Sequence, residues 1–465
     1  MSCLNRDLYI ARRCKLTETV KTGIIVLPGN IGVPLDSSAN CFPFFQESSF
    51  LYFTGIVREN LILVIDVDEN RETVFGDELT LDDIIWTGNL PSLSEHAFDA
   101  GINEIGELKK FEAVIDRAVN KKRPIHYLPN CRSEIVQKLS SIFSISPSQY
   151  DEKASKELIK AVISQREIKS EYEANEIEAA EKISYVTFSE IMNLMKNDVS
   201  ESDIYALVSD FRAKNCVEFP FNPIITINGN IFHAASYPNK IKNSDLVVVD
   251  TGIKTLSGYC SDITRTLPGG GKFSATQKAI YEVVLSAQMS VINSAKPNIG
   301  YIDLHMLAAK KIVEGLKAVG LMKGNIDDAV SSGAHALFFP HGIGHMLGME
   351  AHDMEVLGED YVGYGTELKR SNQFGLSFLR LAKKIKPGFV MTVEPGIYFI
   401  PQLINIWQQE RKFGEFINYS KIDEFKDVKG IRIEDNILVT DRGCRVLGDK
   451  IIPKTVHDIE NMMST

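Results

Sequence analysis

The chain has 465 residues, 44% of them hydrophobic and 24% charged, a composition that fits a folded globular protein and excludes disordered and collagen-like classes. Its net charge of -10 argues against a nucleic-acid partner, because binding a phosphate backbone rests on an excess of lysine and arginine. The length calls for two or three domains at about 150 residues each, and no apolar run approaches the roughly 20 residues of a membrane helix.

The opening MSCLNRDLYIARRCKL is basic and amphipathic, and charges interrupt its apolar residues, so no export or membrane signal is expected there. Short apolar runs between turns follow, GIIVLPGN at 23–30 and FLYFTGI at 50–56. LILVIDV stops at DEN and resumes as ETVFGDE, which predicts a hairpin around Asp68 and Asn70. With a few helix-like stretches this makes a mixed α/β domain. From 151 to 180 the chain turns strongly charged at helical spacing, which reads as a solvated helix face. A domain boundary is placed near here, giving domains 1–165 and 166–465. Further on, Ser274 and Gln277 form a capping box ahead of AIYEVVLSAQMSVI, and short apolar strands alternate with long helical patterns. There is no fixed-period repeat. Seven scattered cysteines with no CxxC pair (Cys3, Cys14, Cys41, Cys131, Cys216, Cys260 and Cys444) read as reduced thiols of a cytoplasmic protein.

Three strands of the second half share an oddity. DLVVVDTG ends its apolar run on Asp250, FVMTVEPG ends on Glu394, and GIRIEDNILVT carries Glu434 in mid-run. Asp262 lies twelve residues after Asp250, a distance a hairpin can fold back upon itself. Gathering four carboxylates is prohibitive without cations, since each pair at about 4 Å repels by roughly 1 kcal/mol in bulk water and by more inside a protein. Two divalent ions, about 3.5 to 4 Å apart, would balance four negative charges. Arg432 shares a strand face with Glu434, where its fork could orient a ligand carboxylate, and His233 precedes Asp250 by seventeen residues.

HGIGHMLGMEAHD at 341–353 concentrates His341, His345 and His352. Gly342 and Gly344 each cost about 1 kcal/mol against alanine inside a helix, so the segment reads as loop and strand that let the backbone approach closely. One imidazole with four carboxylates makes an oxygen-rich donor set suited to manganese or a similar ion. LPGGGKFS at 267–274 is no phosphate loop, because Thr266 and Phe273 stand where a glycine and a serine or threonine are required.

The order Asp250, Asp262, His345, Glu394, Glu434 resembles the metal-ligand order of the pita-bread metallopeptidases, the superfamily of methionine aminopeptidase, aminopeptidase P, prolidase and creatinase. PHGIGHMLGMEAHD, TVEPGIYF and GIRIEDN are similar to its proline-specific branch, and QESSFLYFTGI to the amino-terminal domain of aminopeptidase P and prolidase. The resemblance implies an α+β protein: an amino-terminal mixed α/β domain followed by a pita-bread catalytic domain. It implies two divalent metal ions, with manganese expected, held by those five residues. His233, His341, His352, Tyr398 and Arg432 fall at matching catalytic or substrate-facing places. The gap from Asp250 to Asp262 is one residue longer than the commonest family spacing, which a bulge in the hairpin would absorb.

The implied activity is hydrolysis of the Xaa-Pro bond at the amino terminus of peptides whose second residue is proline, with Glu394 shuttling a proton and His352 and His233 facing the scissile carbonyl. The alternative is an Xaa-Pro dipeptidase, in which Arg380 of GLSFLRLAKKIKPG would hold the substrate carboxylate. For Arg380, which heads a run with Lys383, Lys384 and Lys386, a solvated helix end is the competing account. A metal-free binding module is a remoter alternative, set against the retention of all five ligand types. A homodimer or tetramer paired through the first domain is expected, with Trp86 a residue that could reach a neighbouring subunit.

Overall fold

The computed structural model describes residues 4–37, 40–195, 198–365 and 368–464, which leaves Cys3 outside the described residues. The chain divides into two compact units, Met1–Arg166 with Glu355–Tyr361, and Glu167–Met354 with Val362–Thr465.

The first unit is built on a five-stranded mixed sheet in the order Glu104–Gly106, Arg71–Phe75, Ile62–Asp66, Ile24–Pro28, Ile125–His126. The predicted hairpin is present: Asp66 pairs with Arg71, and Asn70 takes a left-handed φ of 49° to close the turn. FLYFTGI, in contrast, lies largely in the helix Ser48–Thr54, with the Glu47 carboxylate accepting from the Phe50 amide and Gly55 in the left-handed C-cap. All seven residues of that helix are buried, so it carries no polar face from which a helical period could be read.

In the second unit the strands are short and the helices long. Ile224–Thr226, Leu246–Thr251 and Ile263–Pro268 form one antiparallel sheet, while Val390–Val393, Asp435–Val439 and Cys444–Val446 form another. Gly396–Tyr398 pairs with Gly430–Arg432, and a single bridge from Thr264 to Glu434 joins the first sheet to the link between Gly430–Arg432 and Asp435–Val439. Ser274 caps the helix Ala275–Ser294 with the expected box. The charged stretch beginning at 151 lies in three helices, Tyr150–Lys153, Lys156–Arg166 and Glu171–Leu194, but its acids are not all solvated. Glu173 accepts from Ser170 and, at 2.9 Å, from the Tyr259 hydroxyl. Glu181 is buried, and desolvation followed by the nearby Asp435 charge holds its carboxyl well above the usual range.

The hairpin carrying Asp250 and Asp262 has no bulge. Thr251 pairs with Ile263 and, further along the same register, Lys254 bridges Cys260, so the additional residue sits in the tip around 255–259. An undisturbed two-residue period then places Asp250 and Asp262 on one face, diagonally across the ladder.

Behind this sheet Arg265 is wholly buried and uses all five of its N–H donors: on the carbonyls of Thr264, Glu434, Ile452 and Pro453 and, at 2.6 Å, on Asp435. Lys454 takes the other Asp435 oxygen at 2.5 Å, and together the two cations hold that carboxyl down at about 2 against its burial. Arg265→Met strips one partner from a buried ion network and removes a donor from four carbonyls, of which that of Thr264 keeps the Glu434 amide. The expected loss is about 3–5 kcal/mol, read as a lowered denaturation midpoint; a loss below about 1 kcal/mol would show the network to be energetically neutral.

Candidate active site

The four acids, at or beside strand ends, and the histidine, on a loop, converge on one cavity of about 840 Å³, lined also by Phe232, His233, His341, His352, Phe374, Phe378, Arg380 and Arg432. Asp262, His345 and Glu434 offer ligand atoms that all lie within 4.8 Å of one another. His345 Nε2 stands 3.6 Å from Asp262 Oδ2 and 3.5 Å from Glu394 Oε1. Its Nδ1 lies 3.1 Å from the Met346 carbonyl, which assigns the proton to Nδ1 and leaves the Nε2 lone pair facing the acids.

The segment 341–353 is irregular loop with a single bridge, Met346 to Met391, and forms no longer strand. Gly344 is there for proximity: a Cβ would come within 2.3 Å of the Thr392 carbonyl oxygen. Leu347 and Asp353 close the loop on the Val390 and Met346 carbonyls.

Each ligand-bearing piece of backbone is held from the side. Thr392 Oγ1 accepts from the His345 amide at 3.1 Å. The Asn436 side chain accepts from the Asp262 amide at 2.9 Å and donates to its carbonyl at 2.7 Å. Gln288, wholly buried on the helix Ala275–Ser294, donates at 3.3 Å to the carbonyls of both Val393 and Ile433, the residues before Glu394 and Glu434. Lys454 donates to the Gln288 amide oxygen at 3.1 Å, which fixes the orientation of that amide.

A directional chain runs beside the acids. Arg432 donates to Asp250 Oδ2 at 2.5 Å, to the Thr264 hydroxyl at 3.2 Å and to the Tyr398 hydroxyl at 3.1 Å. Thr264 donates on to Glu434 at 2.6 Å, and Tyr398 to His341 Nε2 at 2.8 Å. Arg432 thus orients Asp250 directly and Glu434 only through Thr264, although it shares a strand face with the latter. Burial, then the Arg432 charge, pushes His341 down to about 3, so it is a neutral acceptor at the end of this chain.

The electrostatics of the cluster favour a cation. Desolvation, then Asp250 and Glu394, hold the Asp262 carboxyl well above its ordinary range, and desolvation, then Asp262 and Glu394, do the same for Glu434. Glu394 is raised to about 7, burial outweighing the opposing pull of Arg432. Asp250 Oδ1 is buried with no hydrogen-bond partner among the described residues. Crowded carboxylates, an unpaired oxygen and a correctly presented imidazole nitrogen fit divalent metal ions, with Asp250, Asp262, His345, Glu394 and Glu434 as the residues able to hold them.

Of the other predicted residues, His352 packs edge-on against His345 with ring centroids 4.4 Å apart, and His233 is exposed on the cavity wall. Arg380 lines the cavity, and its segment contains no helix. Lys383 and Lys386 instead pair with Glu167 at 2.6 and 2.8 Å, so the basic run is neither a helix end nor a single patch. Gln288, Asn436 and the aromatic liners Phe232, Phe374 and Phe378 were not anticipated. A polar residue on the buried stripe of a long helix was the one available signal for Gln288.

This combination defines a metal-dependent hydrolase of the pita-bread class. The model of metallopeptidase family M24 matches residues 175–441, more than half of the chain, and that of the aminopeptidase P amino-terminal domain matches residues 9–126. The chain belongs to metallopeptidase family M24, and divalent metal ions belong to its active site. The Xaa-Pro dipeptidase of Homo sapiens is 29% identical over 476 residues, covering 99% of this chain and 92% of the relative. A probable Xaa-Pro aminopeptidase of Fusarium vanettenii is 28% identical over 447 residues, covering 95% and 92%. Among solved structures, the aminopeptidase PepP of Pseudomonas aeruginosa superposes with a TM-score of 0.81 at 24% identity, covering 99% of this chain and 98% of that one. Aminopeptidase P of Escherichia coli, solved with substrate, gives 0.80 at 22% identity with the same coverage. The expected order, an aminopeptidase P-type amino-terminal domain followed by a pita-bread catalytic domain, is borne out.

Gln288→Leu keeps the bulk of the side chain but removes both donors to the glutamate-bearing backbone. Its expected effect is a loss of about 10–100-fold in divalent metal affinity, measured by calorimetric titration of the metal-stripped protein. Unchanged affinity would show that the strand ends hold their geometry without this clamp.

Proposed function

We propose that the chain is a dinuclear metal-dependent exopeptidase that removes the residue before proline from the amino terminus of peptides, an Xaa-Pro aminopeptidase. The observation that carries this reading is the convergence of Asp250, Asp262, His345, Glu394 and Glu434 on one cavity in a chain whose relatives are Xaa-Pro peptidases. In it these five residues hold two divalent ions, manganese being the choice that an oxygen-rich donor set favours. When bound, the ions supply Lewis-acid polarisation of the scissile carbonyl and acidify a water near neutral pH.

The protein's own part begins with Glu394. Its carboxylate lies in the cavity beside His345, placed to take a proton from the attacking water and return it to the leaving nitrogen. His352 and His233, both exposed on the cavity wall, hydrogen-bond the substrate carbonyl as charge develops on its oxygen. The prolyl ring has a fixed φ and its nitrogen carries no N–H in the peptide bond, so it must be recognised by shape. Phe232, edge-on to Tyr398 at 4.6 Å and to His341 at 5.6 Å, makes a rigid aromatic slot of the right kind. The Arg432–Tyr398–His341 chain fixes that wall relative to Asp250.

A cavity of about 840 Å³ favours peptides longer than a dipeptide. The dipeptidase reading keeps one specific support, Arg380 on the cavity wall, where it could hold a prolyl carboxylate. Self-association through the amino-terminal unit, as a homodimer or tetramer, is supported by the helix Leu81–Thr87. It buries none of its residues and leaves Trp86 86% exposed. Scattered free cysteines support a cytoplasmic location.

Hydrolysis of an Xaa-Pro dipeptide beside an Xaa-Pro-Yaa tripeptide, with added manganese and with a chelator control, separates the readings. Faster, chelator-sensitive cleavage of the tripeptide is expected. Cleavage of the dipeptide alone would make the chain a prolidase with Arg380 as anchor, and cleavage of neither would overturn the peptidase reading.

A further inference from the structure

The cavity mouth holds an aromatic pair that the chemistry above does not use. Phe374 is 37% exposed and Phe378 is 56% exposed, and both rings face the same cavity as the acids. They are not loose surface residues. Phe374 packs against Phe378 with centroids 6.0 Å apart and against the buried Trp407 at 5.9 Å. Trp407 is fixed in turn by Phe413 at 5.4 Å and by the Lys412 ammonium, 4.3 Å above its ring. Two held rings left partly in water at the rim of a cleft are a surface that an apolar ligand group would cover favourably.

The position of the scissile bond sets which part of a peptide arrives there. In the aminopeptidase reading the scissile bond follows the first residue, so the amino terminus of the peptide lies at the acids. Arg432, bound to Asp250 and Tyr398, and Arg380 also line the cavity. Arg380 lines the same cavity and follows Phe378 by two residues. The carboxyl-directed part of the peptide therefore leaves the acids through the cavity and passes the partly exposed aromatic pair.

We infer that Phe374 and Phe378 form a subsite for an apolar or aromatic side chain on the residue after proline, so that the preferred substrates are Xaa-Pro-Yaa peptides with an apolar Yaa. The inference rests on the aminopeptidase reading. Its test compares kcat/KM for Ala-Pro-Phe, Ala-Pro-Ser and Ala-Pro-Asp on the manganese-loaded full chain, with Ala-Pro beside them. The native protein is expected to favour Ala-Pro-Phe over Ala-Pro-Ser by about tenfold, the low end of what burying a phenyl group contributes, and to disfavour Ala-Pro-Asp further. Phe378→Ser, at a largely exposed position, is expected to bring the Phe-to-Ser ratio to about twofold or less, and Phe374→Ala is expected to lower it too. A native ratio near one, a preference for Ala-Pro-Asp, or a ratio that survives both substitutions would overturn the subsite and leave the aminopeptidase reading standing. Cleavage of Ala-Pro alone, or of none of the four, would overturn the aminopeptidase reading itself and the subsite with it.

Discussion

Four carboxylates in one buried space dominate the energetics of the second unit. Asp262 and Glu434 are nearly wholly buried, Glu394 is raised to about 7, and Asp250 is neutralised on one oxygen only, by Arg432. Such a cluster opposes folding unless something offsets the repulsion. The supports at the cluster are mainly neutral: Thr264 to Glu434, Thr392 to the His345 amide, Asn436 to the Asp262 backbone, and Gln288 to the backbone before both glutamates. Neutral donors fix positions without cancelling charge, and so leave the charge available to ions.

The cationic side chains nearby serve mainly the layer behind. Arg265 and Lys454 share Asp435, the residue after Glu434, and Lys454 also orients Gln288. The cavity-facing and core-facing sides of one short strand turn are therefore linked. Glu434 looks into the cavity and Asp435 into an ion network, as the two-residue period of an extended chain demands.

Much of this was legible before any coordinates. Apolar runs that stop on an acid marked Asp250 and Glu394, and their number implied a cation. The fold followed from the motifs around His345, Glu394 and Glu434 together with the mixed first domain. Other features left no trace. Glu181 looked like one more charge on a solvated helix because burial of a single acid does not disturb a helical charge pattern. FLYFTGI carried no period because it is buried on every side. The residue added between Asp250 and Asp262 went into the hairpin tip, since a bulge would have reversed the face of one aspartate. Gln288 and Asn436 are invisible to a search for ligands because they act on backbone. The wall formed by Phe374 and Phe378 depends on a loop folding onto Trp407, a contact of long sequence separation.

The central claim is that the acid cluster exists to hold metal, and metal stoichiometry tests it most directly. Elemental analysis of the purified chain after manganese loading and removal of free ion, set beside Asp262→Asn and His345→Ala, should give two ions per chain in the native protein and fewer in both variants. A folded native protein that retains no divalent ion, or variants that retain as much as the native chain, would contradict the account.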